Sequence, residues 1–312
     1  MNKDRRTGKR ILVAWWGTSK HGSPTIGDHM AVSNLALALL QNGAEVDVAS
    51  YHHVECGAAN IVDWMRINPR AYRCVAFVCG PLSNEFYFRL FFFRFRHARK
   101  VAVGVSVIDP KLPGTRLFDE IIARDGMPQE SFDLSLAGAP QQIMHRQRRH
   151  IAVCLRGHQS EYGDANCYST RLDSMIYKVA SGFADHIEHI STVVGKHNTV
   201  QRIHESFADA KLVITTRLHG ALLALYHRTP FVAIDQIKGG RKVASVLRRV
   251  PWNHVYPFDV DEPTLERACR DVITSHDTVH RVNEASQCAR ELSQQTLQYA
   301  VDLILDRFRV SA

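Results

Sequence analysis

The stretch KLVITTRLHGALLALYHRTPFVAID, Lys211 to Asp235, decides how the rest of the chain is read. Lys211 to Thr215 ends an apolar run of the length of a buried strand, residues 219–227 carry an oily helical face, and residues 230–234 form a second short apolar run. Strand, helix and strand in that order are the repeating unit of a parallel sheet. Arg217 and His219 stand at the seam between the first strand and the helix, where Gly, Ser or Asp would turn the chain as well. Ligands of open parallel sheets bind at the carboxyl ends of strands, where helix N-termini present free N–H groups to anions. Arg offers a planar fork for carboxylate or phosphate, and His is the side chain suited to moving a proton near neutral pH. Residue types alone leave two readings open. One is an anion clamp beside a general acid or base; the other is an Arg paired with a neighbouring loop and a His that merely caps the helix.

The same alternation extends in both directions. Toward the N-terminus it predicts strands at 11–16, 45–50, 74–79 and 101–107, and helices at 28–41, 59–67, 85–97 and 116–124, with Gly43 as a left-handed cap. A second series starts with a strand at 151 and runs through helix 170–186, strand 187–194, helix 198–208 and strand 211–215. The expected fold is therefore α/β, with two doubly wound Rossmann-like domains facing a cleft. The N-terminal domain is expected over 1–140, the C-terminal domain over 150–261, and a helical tail over 262–312, in which Val282, Ala285, Cys288, Ala289, Leu292, Tyr299 and Leu303 recur at roughly helical spacing. The Gly/Ala/Pro and Gln/Arg stretch at 137–149 is the linker candidate.

The 312 residues are 45% hydrophobic, enough for two cores. No apolar run is long enough to span a bilayer, and the basic N-terminal head precedes only a six-residue apolar run, so a soluble protein without a secretory signal is expected. Seven scattered cysteines without a Cys-x-x-Cys pair indicate neither a zinc site nor a disulfide framework, which suits a reducing cytoplasm. A net charge of +8 admits nucleic acid, anionic lipid or an anionic small molecule as partner. The dense basic runs, residues 94–100 and 145–150, are short, and no RNA-recognition aromatic motif, zinc finger or long basic tail accompanies them, so nucleic acid is not expected. In residues 86–100 (FYFRLFFFRFRHARK), Phe88, Phe91, Phe92 and Phe95 share one helical face. One reading is a helix packed on the first sheet with its basic residues outside. The other is a peripheral contact with the inner face of an anionic membrane.

Thr-Arg-Leu-His-Gly after a strand, an apolar helix, Pro-Phe-Val-Ala-Ile-Asp (230–235) and Lys242-Val-Ala-Ser-Val-Leu together resemble the C-terminal signature of the polysaccharide pyruvyl transferase family. Weaker likenesses are Thr25-Ile-Gly27-Asp28 before a helix, Cys79-Gly-Pro, and Leu155-Arg156 leading to Glu161. Three features depart from the family's pattern: Thr25 where Asn is frequent, His158 where an acidic residue is common, and a longer Asp235 to Lys242 spacing. The resemblance implies a glycosyltransferase-B-like fold. It also implies an enzyme that moves pyruvate from phosphoenolpyruvate to a saccharide or lipid-linked saccharide, usually as a cyclic ketal, with no cofactor or metal. The N-terminal domain would be the acceptor side and the C-terminal domain the donor side.

Phosphoenolpyruvate concentrates about three negative charges on a small molecule, so its site needs cations that keep their charge. Arg217, Arg156 and Lys242 are the candidates. His219 is the candidate proton donor to the enol methylene and acceptor from a hydroxyl. Gly27, Asp28, Glu161 and Asp235 are the further candidates for substrate binding, although Asp28 also suits a helix cap and Glu161 could orient Arg156. The rivals are a nucleotide-sugar glycosyltransferase of the same architecture and a non-catalytic saccharide- or anion-binding protein.

Overall fold

The computed structural model describes residues 9–20, 24–82, 84–139, 150–184, 186–240 and 242–306. The chain forms two compact units, residues 1–138 with 292–312, and residues 139–291. Strands β1 (Arg10–Ala14), β2 (Val46–Ala49), β3 (Asn60–Val62), β4 (Tyr72–Val78), β5 (Arg99–Ser106) and β6 (Glu120–Asp125) build the first sheet, in the all-parallel order β3-β2-β1-β4-β5-β6. Strands β7 (His150–Cys154), β8 (Ile187–His189), β9 (Ala210–Thr215), β10 (Phe231–Ile234) and β11 (Val255–Tyr256) build the second, also parallel, in the order β11-β10-β9-β7-β8. Helices α1 (Ile26–Gln41) and α2 (Phe86–Arg94) belong to the first unit. The second contains α3 (Ser169–Ser181), α4 (Val200–Ala208), α5 (Leu218–Tyr226), α6 (Val243–Leu247) and α7 (Glu262–Thr274). Among the described residues no helix is long and apolar enough to cross a membrane.

Period-two alternation in β1 shows how the first unit is layered. Ile11 and Val13 point to one face, where Val32, Leu35 and Leu39 of α1 meet them; Leu12 and Ala14 point to the other, covered by Phe88, Phe91, Phe92 and Phe95. Gly43, at φ 79°, ends α1 in the left-handed conformation expected of it. Two expected helices are strands instead. Ile61 and Val62 in β3 pair with β2, while the Asp63 carboxylate accepts the Met65 N–H in a local turn. Glu120 to Asp125 pairs with β5, anchored where the Asp119 carboxylate accepts the Lys100 N–H. Both segments carry apolar residues at spacings that suit a helix, and cross-strand pairing of their β-branched side chains overrides that pattern.

The basic run at 94–100 is largely internal. Arg99 is 3% exposed and donates to both Glu120 oxygens and to the Leu303 carbonyl. Lys100 bonds the Arg96 and Ala98 carbonyls, and Arg94 those of Trp64, Met65 and Ile67. The expectation that Arg99 and Lys100 lie outside the packed helix is therefore corrected: both belong to β5, where burial needs partners and finds them. Of the other run, only His150 lies within the described residues, as do only residues 137–139 of the linker candidate.

Residues set apart above as a tail do not form a separate body. Helix α7 and the beginning of α8 (Thr278–Ile304) group with the second unit, and the chain from Leu292 groups with the first. There Ala300, Val301 and Ile304 enter the core, and Thr296 and Ser293 bond the backbone of Phe132 and Asp133.

In the second unit, the chain crosses from β7 to β8 in one direction and returns past β7 to β9 in the other, so α3 and α4 cover opposite faces. Helix α5 is buried on every side except at His219, and next to it the buried rings of His204 and His227 share a hydrogen bond of 2.8 Å. Burial pushes the His204 imidazole down to about 4. An unfolded His protonates near pH 6.5, so between these values the unfolded chain binds a proton that the folded chain refuses. The stabilisation is complete above about pH 6.5 and is lost as the pH falls toward 4, by on the order of 3 kcal/mol. Urea midpoints measured between pH 7 and 4.5 should fall for the native chain and fall less steeply for His204→Gln.

Candidate functional site

The reversal of direction in the second sheet lies between β7 and β9, the position where open sheets leave a crevice outside the strand ends. Cys154 pairs with Thr215, and Thr215 with Ala233, which aligns the ends of β7, β9 and β10. Leu155 and Arg156, Thr216 and Arg217, and Asp235 and Gln236 therefore leave the sheet side by side.

Thr215 sets the geometry of the seam. Its hydroxyl donates to the Cys154 carbonyl at 2.7 Å and accepts the Arg217 N–H at 3.0 Å, while the neighbouring Thr216 hydroxyl accepts the Arg156 N–H at 2.8 Å. Arg217 is the N-cap of α5, with extended backbone angles and no side-chain cap bond. Its Nε donates to the Leu155 carbonyl at 2.7 Å and its Nη1 to the Thr192 hydroxyl at 2.8 Å. The fork is thus held in place by the loops that follow β7 and β8. His219 lies half-buried in the first turn of the same helix. Burial pushes the Cys154 thiol up to about 11 despite the nearby Arg217 charge, so this sulfur is a poor nucleophile.

The charges of Arg156 and Lys242 both reach the Glu161 carboxyl. Burial pushes the Glu161 carboxyl up, but bonds from Gln159 (3.0 Å) and its own backbone amide, with the charges of Lys242 and Arg156, hold it below the usual carboxylate range. The Lys242 ammonium stands 5.6 Å from the Tyr162 ring centroid. The half-buried Arg156 guanidinium makes no hydrogen bond and no ion pair among the described residues. Such a cation, on a residue whose backbone N–H bonds Thr216 just before α5, suits an anion.

Asp235 has a different task. It is fully buried, and its carboxylate accepts the N–H groups of Ile237 (3.1 Å), Lys242 (3.2 Å) and Ala244 (2.9 Å). The residue shapes the loop that presents Lys242 and caps α6. In the first unit, Asp28 lies in the first turn of α1 beside buried Gly27; its Oδ2 accepts the Thr25 N–H (3.0 Å) and hydroxyl (2.8 Å). The N-cap is Thr25 rather than Asp28. His158 turns outward to Asp164, at 2.7 Å.

Sequence reasoning passed over Gln159 and Gln236. Both are about 1% exposed, and Gln236 Nε2 bonds the Gly157 carbonyl at 3.1 Å, which ties the loop carrying Glu161 to the end of β10. Isolated glutamines carry no spacing signal. Gly220 is the other omission: a Cβ there would lie 2.2 Å from the Thr215 hydroxyl and 3.2 Å from the Cys154 sulfur. The glycine of Arg-Leu-His-Gly thus permits α5 to press on the strand ends that position Arg217.

Helix propensity alone says that Gly220→Ala should stabilise α5 by about 1 kcal/mol. The close approach reverses the sign, and the variant should lose about 1–3 kcal/mol in urea denaturation. Gly195→Ala, with nothing within 4 Å of the added Cβ, should stay within about 0.5 kcal/mol.

Residues 159–236, about a quarter of the chain, match the model of the family described as polysaccharide pyruvyl transferase. The match contains Glu161, Arg217, His219 and Asp235. No curated protein sequence matches the chain significantly. Among solved structures, a putative UDP-N-acetylglucosamine 2-epimerase from Listeria monocytogenes is similar at a TM-score of 0.57 and 11% identity, covering 98% of each chain. The glycotransferase of kitacinnamycin is similar at 0.54 and 10%, covering 96% of this chain and 99% of its own. The UDP-GlcNAc 2-epimerase of Methanocaldococcus jannaschii, solved with UDP-GlcNAc and UDP, is similar at 0.53 and 8%, covering 93% and 99%. At such identities the likeness is one of fold, and the fold is glycosyltransferase-B-like, two parallel α/β sheets with a C-terminal helix.

Proposed function

We propose that the chain is a transferase that moves the pyruvyl group of phosphoenolpyruvate onto hydroxyls of a saccharide or lipid-linked saccharide, as a ketal, in the synthesis of a polysaccharide or cell-envelope glycan. The observation that carries this reading is the half-buried Arg156 guanidinium, without an ion pair among the described residues, at the switch point of the second sheet, where it and Lys242 both lower the Glu161 carboxyl. A donor with a phosphate and a carboxylate on one carbon suits two or three cations and the N–H groups that start α5. The family match, which spans the ends of β9 and β10 but neither Arg156 nor Lys242, supports the choice of donor.

In this reading Arg156 and Lys242 hold the donor's anionic groups, and Arg217, clamped by Leu155 and Thr192, adds a charge that does not move. His219 as imidazolium gives its proton to the enol methylene, making the adjacent carbon electrophilic. A saccharide hydroxyl adds to that carbon and returns its proton to the now neutral His219, phosphate leaves with the C–O bond electrons, and a second hydroxyl adds to the resulting oxocarbenium carbon, losing its proton to the departing phosphate as the ketal closes. Asp235 is the one acidic residue among 215–245 that could serve a nucleotide ribose, and its oxygens are already engaged by three backbone amides. That weighs against a nucleotide-sugar donor.

Phosphoenolpyruvate should therefore raise the melting temperature more than UDP-sugars do; the opposite order would give the glycosyltransferase reading the lead. Arg156→Gln should lose calorimetric affinity for phosphoenolpyruvate, and Arg217→Lys should raise the donor KM while leaving turnover at saturation. His219→Asn should keep donor binding and lose roughly 10² to 10⁴ in kcat, measured by phosphate release with a panel of lipid-linked and nitrophenyl sugars. Normal turnover by that variant would remove His219 from the chemistry.

A further inference from the structure

Helix α2 has more aromatic residues than its core face uses. Phe88, Phe91 and Phe92 are buried, yet Phe86 is 72% exposed, Tyr87 61% and Phe93 63%, with Leu90 also exposed. At about 100° per residue, Phe86, Leu90 and Phe93 lie within about 60° of arc, centred opposite the buried face. Exposed Arg89 and Arg96 flank this ridge on one side, and the Arg96 guanidinium lies 4.9 Å from the Phe93 ring centroid. Arg94 stands on the other flank, fixed by the carbonyls of Trp64, Met65 and Ile67.

The apolar surface continues inward from the helix. A cavity of about 230 Å³ lies between α2 and the loops after β1, β2 and β3, lined mainly by rings, among them Trp15, Trp16, Trp64, Phe77 and Phe88. Tyr87 and Met65, 60% exposed, belong both to the outer surface and to the lining, so the cavity opens beside the ridge. Exposed Lys20 and Glu85 also line it.

A convex aromatic ridge with exposed Arg89 and Arg96 along one flank suits a bilayer interface, where rings enter the acyl boundary and guanidinium groups stay at the level of anionic headgroups. We propose that this ridge docks on an anionic bilayer and that the adjoining cavity receives the apolar chain of a lipid presented there. The docking stands on α2 alone; that such a lipid carries the acceptor saccharide rests on the function proposed above.

The test uses the full chain, with vesicles of phosphatidylcholine alone or mixed with phosphatidylglycerol. Cosedimentation should favour the anionic vesicles by roughly tenfold or more. Phe86→Ser with Phe93→Ser, both at exposed positions, should lower binding by roughly tenfold or more without shifting the melting temperature. Arg89→Gln with Arg96→Gln should remove the preference for anionic lipid. Equal binding by the native chain and the serine variant, or no binding by either, overturns the docking, as does loss of a dimer in the serine variant by sedimentation velocity, which would make the ridge an interface between copies. Three of the four tryptophans line the cavity. Phosphatidylglycerol brominated in mid-chain should quench the fluorescence of a Trp252→Phe variant, and bound protein without quenching overturns entry of the chain. Neither assay uses phosphoenolpyruvate, so either proposal can fail while the other stands.

Discussion

One hydroxyl group sets the second unit's candidate site. Thr215 bonds forward to the N–H of Arg217 and across to the carbonyl of Cys154, joining the last residues of two neighbouring strands. Valine would leave both groups without that partner, at about 1–3 kcal/mol each if buried. Gly220 presses on the same oxygen from the helix side. Strand end, turn and helix start thereby meet at one oxygen, and the backbones of Arg217 and Arg156 are tied to that junction. In the function proposed above, a cation held as Arg217 is would stabilise developing charge without rearrangement during reaction.

Charge in this protein is informative only when sorted by depth. Arg99 and Arg124 are about 3% exposed and paired with carboxylates, Arg124 with Asp133 and Arg99 with Glu120, so they hold the first unit together. They add to the net charge of +8 without adding to any surface that an anion could meet. Arg156 and Lys242 sit at intermediate depth, shielded enough to be strong and open enough to be reached. Asp235 shows the converse for acids: its burial is tolerated because three amides replace water.

The architecture was legible where pattern and pairing agree. Strands β1, β4, β7 and β9 and helices α1, α4 and α5 stand close to where alternation and helical spacing put them, because burial on both faces demands continuous apolar runs. Reading failed at β3 and β6, the two edge strands of the first sheet, whose identity comes from a neighbour rather than from their own sequence. Within the candidate site, the motif pointed to Arg217, His219 and Lys242. It gave no hint that Arg217 would be clamped by Thr192, that Asp235 would serve backbone amides, or that Gln159 and Gln236 would link two loops. The Thr192 and glutamine contacts join residues distant along the chain, and the Asp235 bonds run to backbone amides that any side chain would supply, so no local pattern encodes them.

The interrupted first unit bears on the order in which the protein can be completed during synthesis. Its core draws on Ala300, Val301 and Ile304, which leave the ribosome after the whole of the second unit. Residues 139–291 are continuous and can close around their own sheet while the first sheet still waits for a missing wall. Until α8 emerges, the face carrying Ile11, Val13 and Val101 has nothing from that helix to cover it. Nascent chains stalled before Leu292 should thus be the form most in need of a chaperone, although they already contain every candidate residue of both sites.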